Sequence, residues 1–97
     1  MNKQHIKTST GFECDVDKRV LDDFGFIKML GAMVSGDEDQ ALPALTNLPS
    51  ALLGKAGEKR LLKHVEKDGY SSVIDVTNEV NEIIEIIKAD EDVDVKN

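Results

Sequence analysis

A mainly α-helical fold, with about four helices in a compact bundle and a small N-terminal β-hairpin, is predicted by three observations. Alternation with a period of two is confined to residues 4–16. From there to residue 88, apolar residues recur at spacings of three and four. Gly and Pro interrupt that stretch often enough to divide it into several helices. One domain is expected over residues 1–88, with an acidic, aperiodic tail at 89–97 (ADEDVDVKN) read as disordered.

The hairpin over 4–16 is predicted to turn on a three-residue loop, Ser9-Thr10-Gly11, with Gly11 at the position that needs a positive φ. That loop pairs Thr8 with Phe12, Ile6 with Cys14 and Gln4 with Val16. It gathers Ile6, Phe12, Cys14 and Val16 on one face, whereas a two-residue loop would turn Ile6 away. A lone hairpin is marginal in water, so this face should rest on helices.

The first helix is predicted from Asp17, a good N-cap, to about Ser35. Its stripe is read as Val20, Phe24, Ile27, Gly31 and Val34, with Leu30 beside it. Gly25 and Gly31 weaken a helix, so they imply either a close helix contact or a break after Asp22-Asp23. A second helix is expected over Asp39–Leu53 with Leu42, Leu45, Leu48 and Leu52 as its stripe. Pro43 suits a first turn, Pro49 implies a kink or restart at Asn47-Leu48, and Gly54 reads as the C-cap. A third helix should run from Lys55 or Ala56 to Lys67 on Leu61, Leu62 and Val65, and stop at Asp68-Gly69. The fourth should start at Ser72, with Asp75 three residues on as in a capping box. Its face is Val73, Val76, Val80, Ile83, Ile84 and Ile87, widened by Ile86.

The formal net charge of −7, from 19 acidic and 12 basic residues, excludes nucleic acid as the main ligand. The densest basic group, Lys55, Lys59, Arg60, Lys63 and Lys67, is offset by Glu58, Glu66 and Asp68. Cys14 is the single cysteine, so no internal disulfide is possible, which fits a reducing cytosol. No signal-peptide stretch opens the sequence, and no run approaches the roughly 20 apolar residues of a membrane helix. A cytoplasmic protein with no membrane partner is expected.

Each constellation that could carry chemistry has a plainer role. If Gly69 were the sixth residue of a calcium loop, His64 would be the first, and imidazole is a poor calcium ligand. His5, Cys14 and His64 lack zinc-ligand spacing, and His5 points away from Cys14. Neither His lies near a Gly-rich elbow around Ser or Cys, and pairs such as Asp22-Asp23 and Glu82-Glu85 suit a solvated helix face. No Asp-Ser dipeptide marks a carrier-protein site. The reading is therefore a non-enzymatic chain with no catalytic residues, metal or cofactor. Its candidate interface residues are Leu45, Leu48, Leu52, Val80, Ile83, Ile84, Ile86 and Ile87.

The order of segments resembles the tail assembly chaperones of long-tailed phages and prophages of Gram-positive bacteria. The resemblance rests on Ser9-Thr10-Gly11-Phe12-Glu13 followed by Asp15-Val16-Asp17, then Leu21-Asp22-Asp23-Phe24 with Phe26-Ile27. It continues through Leu48-Pro49-Ser50-Ala51-Leu52-Leu53-Gly54, Glu58-Lys59-Arg60-Leu61-Leu62-Lys63-His64-Val65, the turn at Asp68-Gly69, and Asn81-Glu82-Ile83-Ile84-Glu85-Ile86. It implies a mainly helical chaperone that binds the tape measure protein, helps recruit tail tube subunits and self-associates. Such a protein works in the host cytoplasm and is absent from the mature virion. A frameshifted longer product is common in that family. The alternative is a small phage-encoded regulatory or inhibitor module that binds one host protein.

Overall fold

The computed structural model describes residues 3–96, with side chains to residue 89. Two strands, β1 (Lys3–Lys7) and β2 (Glu13–Asp17), are followed by a 3-10 turn (Lys18–Asp22). Three helices complete the fold: α1 (Phe24–Met33), α2 (Glu38–Val65) and α3 (Val73–Lys96). The tail expected at 89–97 overlaps the end of α3, whose backbone runs on to Lys96, and Asn97 lies outside the described residues.

The hairpin has the predicted register, with Gln4 opposite Val16 and Ile6 opposite Cys14. Thr8 and Phe12 close the loop through a 2.8 Å backbone bond, and Gly11 takes φ 95°. Ile6, Phe12, Cys14 and Val16 are all buried. This face lies on the helices, with β2 against α2 and β1 against α3.

The first expected helix is divided. Asp17 caps the 3-10 turn, accepting from the amide of Arg19, and Asp23 is the N-cap of α1, accepting from the amide of Phe26. Two successive carboxylate caps therefore restart the chain, and the break falls after Asp22-Asp23. The expected α1 stripe is also corrected. Phe26 is buried, with Met29, Leu30 and Met33 packed against the core, whereas Phe24, Ile27 and Val34 face outward. A Cβ built on Gly31 would meet nothing within 4 Å, so no helix makes a close approach there.

Three helical elements rather than four are described, because the expected second and third helices abut at a kink in α2. Helical turns continue on both sides of Gly54 with no loop between them, and Gly54 alone is non-helical, at φ 78° and ψ 168°. The break therefore falls at Gly54, where the sequence placed a helix end, and the kink or restart expected at Asn47-Leu48 is absent, since Gly54 is the one non-helical position in α2. Pro43 and Pro49 both lie inside α2, and Pro43 sits beyond its first turn. Each proline leaves one carbonyl without its usual amide donor. The bend also folds the helix tightly on itself, since a Cβ on Gly57 would lie 2.6 Å from the Cβ of Leu53.

Beyond α2, Asp68 (φ 53°) and Gly69 (φ 84°) form a two-residue turn, closed by paired backbone bonds of 2.8 and 3.0 Å between Lys67 and Tyr70. Two successive positive φ angles define a type I′ turn, which explains the Asp-Gly pair. Ser72 then caps α3, its Oγ accepting from the amide of Asp75 at 3.4 Å.

Candidate functional site

The candidate interface residues from the sequence have mostly been used to build the subunit itself. Leu48, Leu52, Val80, Ile83, Ile84 and Ile87 are buried in the core, and Leu45 and Ile86 are half-buried. Ile83 and Ile87 have no exposed surface at all. The broad Ile/Val face of α3 is thus spent on α2 and β1. Available apolar surface lies elsewhere, in two places.

The first is the outward face of α1. Phe24 is 81% exposed, Ile27 48% and Val34 83%. At 100° per residue, positions 24, 27, 31 and 34 fall on one side of the helix, opposite Phe26, Met29, Leu30 and Met33. The sequence FGFIKMLGAM explains why both sides are apolar, since Lys28 is its one charged residue. A helix apolar all round is normally enclosed on every side. Here one side packs on the core and the other stands exposed among the described residues. Carboxylates bound this face at both ends: Asp22 and Asp23 before it, Asp37, Glu38 and Asp39 after it, all exposed.

The second place is the start of α3, where Tyr70, Val73 and Ile74 are exposed. Val73 therefore leaves the stripe that the sequence assigned it to. Leu42, near the start of α2, is exposed as well.

An open cleft of about 800 Å³ lies between the 3-10 turn, α1 and α2. Val20, Phe26, Met29, Ala51 and Leu52 give it an apolar lining, and Asp17, Arg19, Asp22 and Asp23 supply its charge. Arg19 and Asp17 are paired at 2.7 Å, which holds the Asp17 carboxyl down at about 2.

A polar cluster that the sequence reading did not anticipate joins the hairpin loop to α3. Glu79, only 4% exposed, accepts from the Thr8 hydroxyl at 2.8 Å and the Thr10 hydroxyl at 2.6 Å. The Thr10 hydroxyl also lies 3.1 Å from that of Thr8 and 3.0 Å from His64 Nε2. One turn on, Glu82 accepts from the Ser9 amide at 2.6 Å and the Ser9 hydroxyl at 2.9 Å. The pair expected on a solvated face is thus split: Glu82 holds Ser9, and Glu85 faces Lys88 at 3.8 Å. The sequence signal for this clasp was a Glu at 79, inside the stripe Val76, Val80 and Ile83.

His64 also stacks near Phe12, with ring centroids 5.4 Å apart, and Arg60 covers the same ring at 5.5 Å. On the outer side of the hairpin, His5 Nδ1 meets Asp15 at 2.8 Å and Nε2 meets Glu13 at 2.9 Å. These bonds raise its pKa above the usual value, Asp15 contributing most. Cys14 is buried and its thiol pKa is raised by that burial. Among the described residues, no group of three or more His, Cys, Asp or Glu is placed to hold a metal ion. No helix there is long and apolar enough to cross a membrane.

Compared with known proteins, the chain matches no family profile, no curated protein and no solved structure.

Proposed function

We propose that this chain is a non-enzymatic protein-binding module of the tail assembly chaperone kind, holding the tape measure protein of a long-tailed phage in soluble form. The observation that carries the reading is the outward face of α1, where Phe24, Ile27 and Val34 stand exposed on a helix whose other side is already packed. Burying side chains of this size stabilises a complex by roughly 1.5–3 kcal/mol each when burial is complete. A tape measure protein is a long helical chain with apolar stripes, and helix-against-helix recognition suits such a face. The net charge of −7 favours solubility of an assembly of many copies. The reading extends to recruitment of tail tube subunits, to self-association, and to a place in the host cytoplasm rather than in the virion.

Co-expression with a tape measure protein from the same genome is the test. The expected result is soluble tape measure protein that co-purifies with the chain and is lost with Phe24→Ser plus Ile27→Ser. Tape measure protein that aggregates regardless of the chain contradicts the reading. Light scattering over a concentration series tests self-association: mass should rise with concentration, and a strict monomer counts against it. A one-to-one complex with a single host protein would instead favour an inhibitor module.

A further inference from the structure

We infer that the outward face of α1 is built for a cationic amphipathic helix, and that it discriminates against both acidic helices and a second copy of this chain. The inference rests on the protein-binding reading above and specifies the partner's chemistry.

Two observations lead to it. The apolar stripe Phe24, Ile27 and Val34 is exposed along a helix of ten residues and its C-cap, Val34. Such a helix is about 15 Å long, so it matches three turns of a partner helix. The charge around it is predominantly negative. Between residues 22 and 39 there are five carboxylates (Asp22, Asp23, Asp37, Glu38 and Asp39) and one ammonium, Lys28. The carboxylates sit at the two ends of the stripe, before and after α1. A partner helix lying along α1 would therefore place its flanking side chains among carboxylates at both ends. Lys and Arg gain there, and Asp and Glu are repelled.

The same geometry excludes a second copy. A two-fold pairing of α1 on α1 is antiparallel or parallel. The antiparallel form sets Asp22 and Asp23 beside Asp37, Glu38 and Asp39 of the other copy. The parallel form sets each acidic group beside its own equivalent. Either way two acidic groups meet at both ends, with Lys28 alone near the middle. The nearby arginine offers little relief, because Arg19 is paired with Asp17. Any self-association then uses another surface.

The test uses the full chain and three synthetic helical peptides with one shared apolar stripe. Their polar positions are all Lys/Arg, all Glu, or all Gln/Ser. Binding is read by fluorescence anisotropy at low and high salt, beside light scattering of the chain alone. The cationic peptide should bind at least about tenfold more tightly than the neutral one, and the acidic one should not bind. Raising salt should remove most of that advantage. Ile27→Ser and Phe24→Ser alter exposed positions and should keep the far-UV spectrum while abolishing binding. Glu38→Gln with Asp39→Asn should shrink the salt dependence and leave the neutral peptide unchanged. Equal binding of acidic and cationic peptides overturns the inference, as does cationic binding insensitive to Ile27→Ser. No binding of any peptide, or a dimer broken by Ile27→Ser, also overturns it. The two readings fail separately. Cationic binding without tape measure capture sinks the chaperone reading alone, and charge-independent capture through α1 sinks this inference alone.

Discussion

Replacing Gly54 and Gly31 by Ala should move stability in opposite directions, although both are glycines inside helical elements. Gly54 has φ 78° and ψ 168°, a region that L-residues essentially never adopt. Holding an Ala there costs about 1–3 kcal/mol. The entropy that Ala removes from the unfolded chain returns only about 0.4–1 kcal/mol, so strain wins. The alternative, straightening α2 into a regular helix, would pull Leu48 and Leu52 or Leu61 and Val65 out of the shared core. Gly31 is helical, and a Cβ there meets nothing within 4 Å, so Ala should add up to about 1 kcal/mol. For a domain of this length each kcal/mol shifts Tm by about 4–8 °C. Thermal unfolding followed by far-UV circular dichroism should show a clear fall for Gly54→Ala and a rise of several degrees for Gly31→Ala. Gly57→Ala should also fall, because its Cβ would meet that of Leu53 at 2.6 Å. A Gly54→Ala protein as stable as the parent would refute the bend as the device that lets one helix serve both halves of the core.

Two further outcomes follow from the polar contacts. Glu79→Ala removes the carboxylate that accepts from both the Thr8 and Thr10 hydroxyls, which should cost about 1–3 kcal/mol in chemical denaturation, with Glu79→Gln costing less. His5 has a raised folded pKa, so its contribution is fully present below 6.5 and is lost as pH rises through that higher folded value. Its NMR titration midpoint should lie above 6.5 in the parent and move down in Asp15→Asn with Glu13→Gln.

The hairpin was legible because period two and one obligatory glycine leave a single register that buries Ile6, Phe12, Cys14 and Val16 together. The α3 face was legible for a similar reason, since Thr77, Asn78, Asn81, Glu82 and Glu85 give it polar contrast with Val76, Val80, Ile83, Ile84 and Ile87. The α1 face was misread because periodicity needs contrast. Its ten residues contain one charge, so two opposite stripes fit equally well. The break at Gly54 was legible from the glycine itself, whereas the immediate start of the next helical segment, with no loop between, was not. The Glu79 clasp was missed because a carboxylate in an apolar stripe is tolerable only with donors from elsewhere. Here they come from Thr8 and Thr10, about seventy residues away along the chain. The interface candidates lay in the most apolar stripes, and those are the ones the subunit buries first.

Hydrogen exchange of the full chain, with and without a bound tape measure segment, tests the central claim most directly. The account predicts slowed exchange concentrated in α1, residues 24–33, with α3 unchanged because its amides are already protected by the core. Slowing confined to α3, or spread evenly with none added in α1, would contradict it.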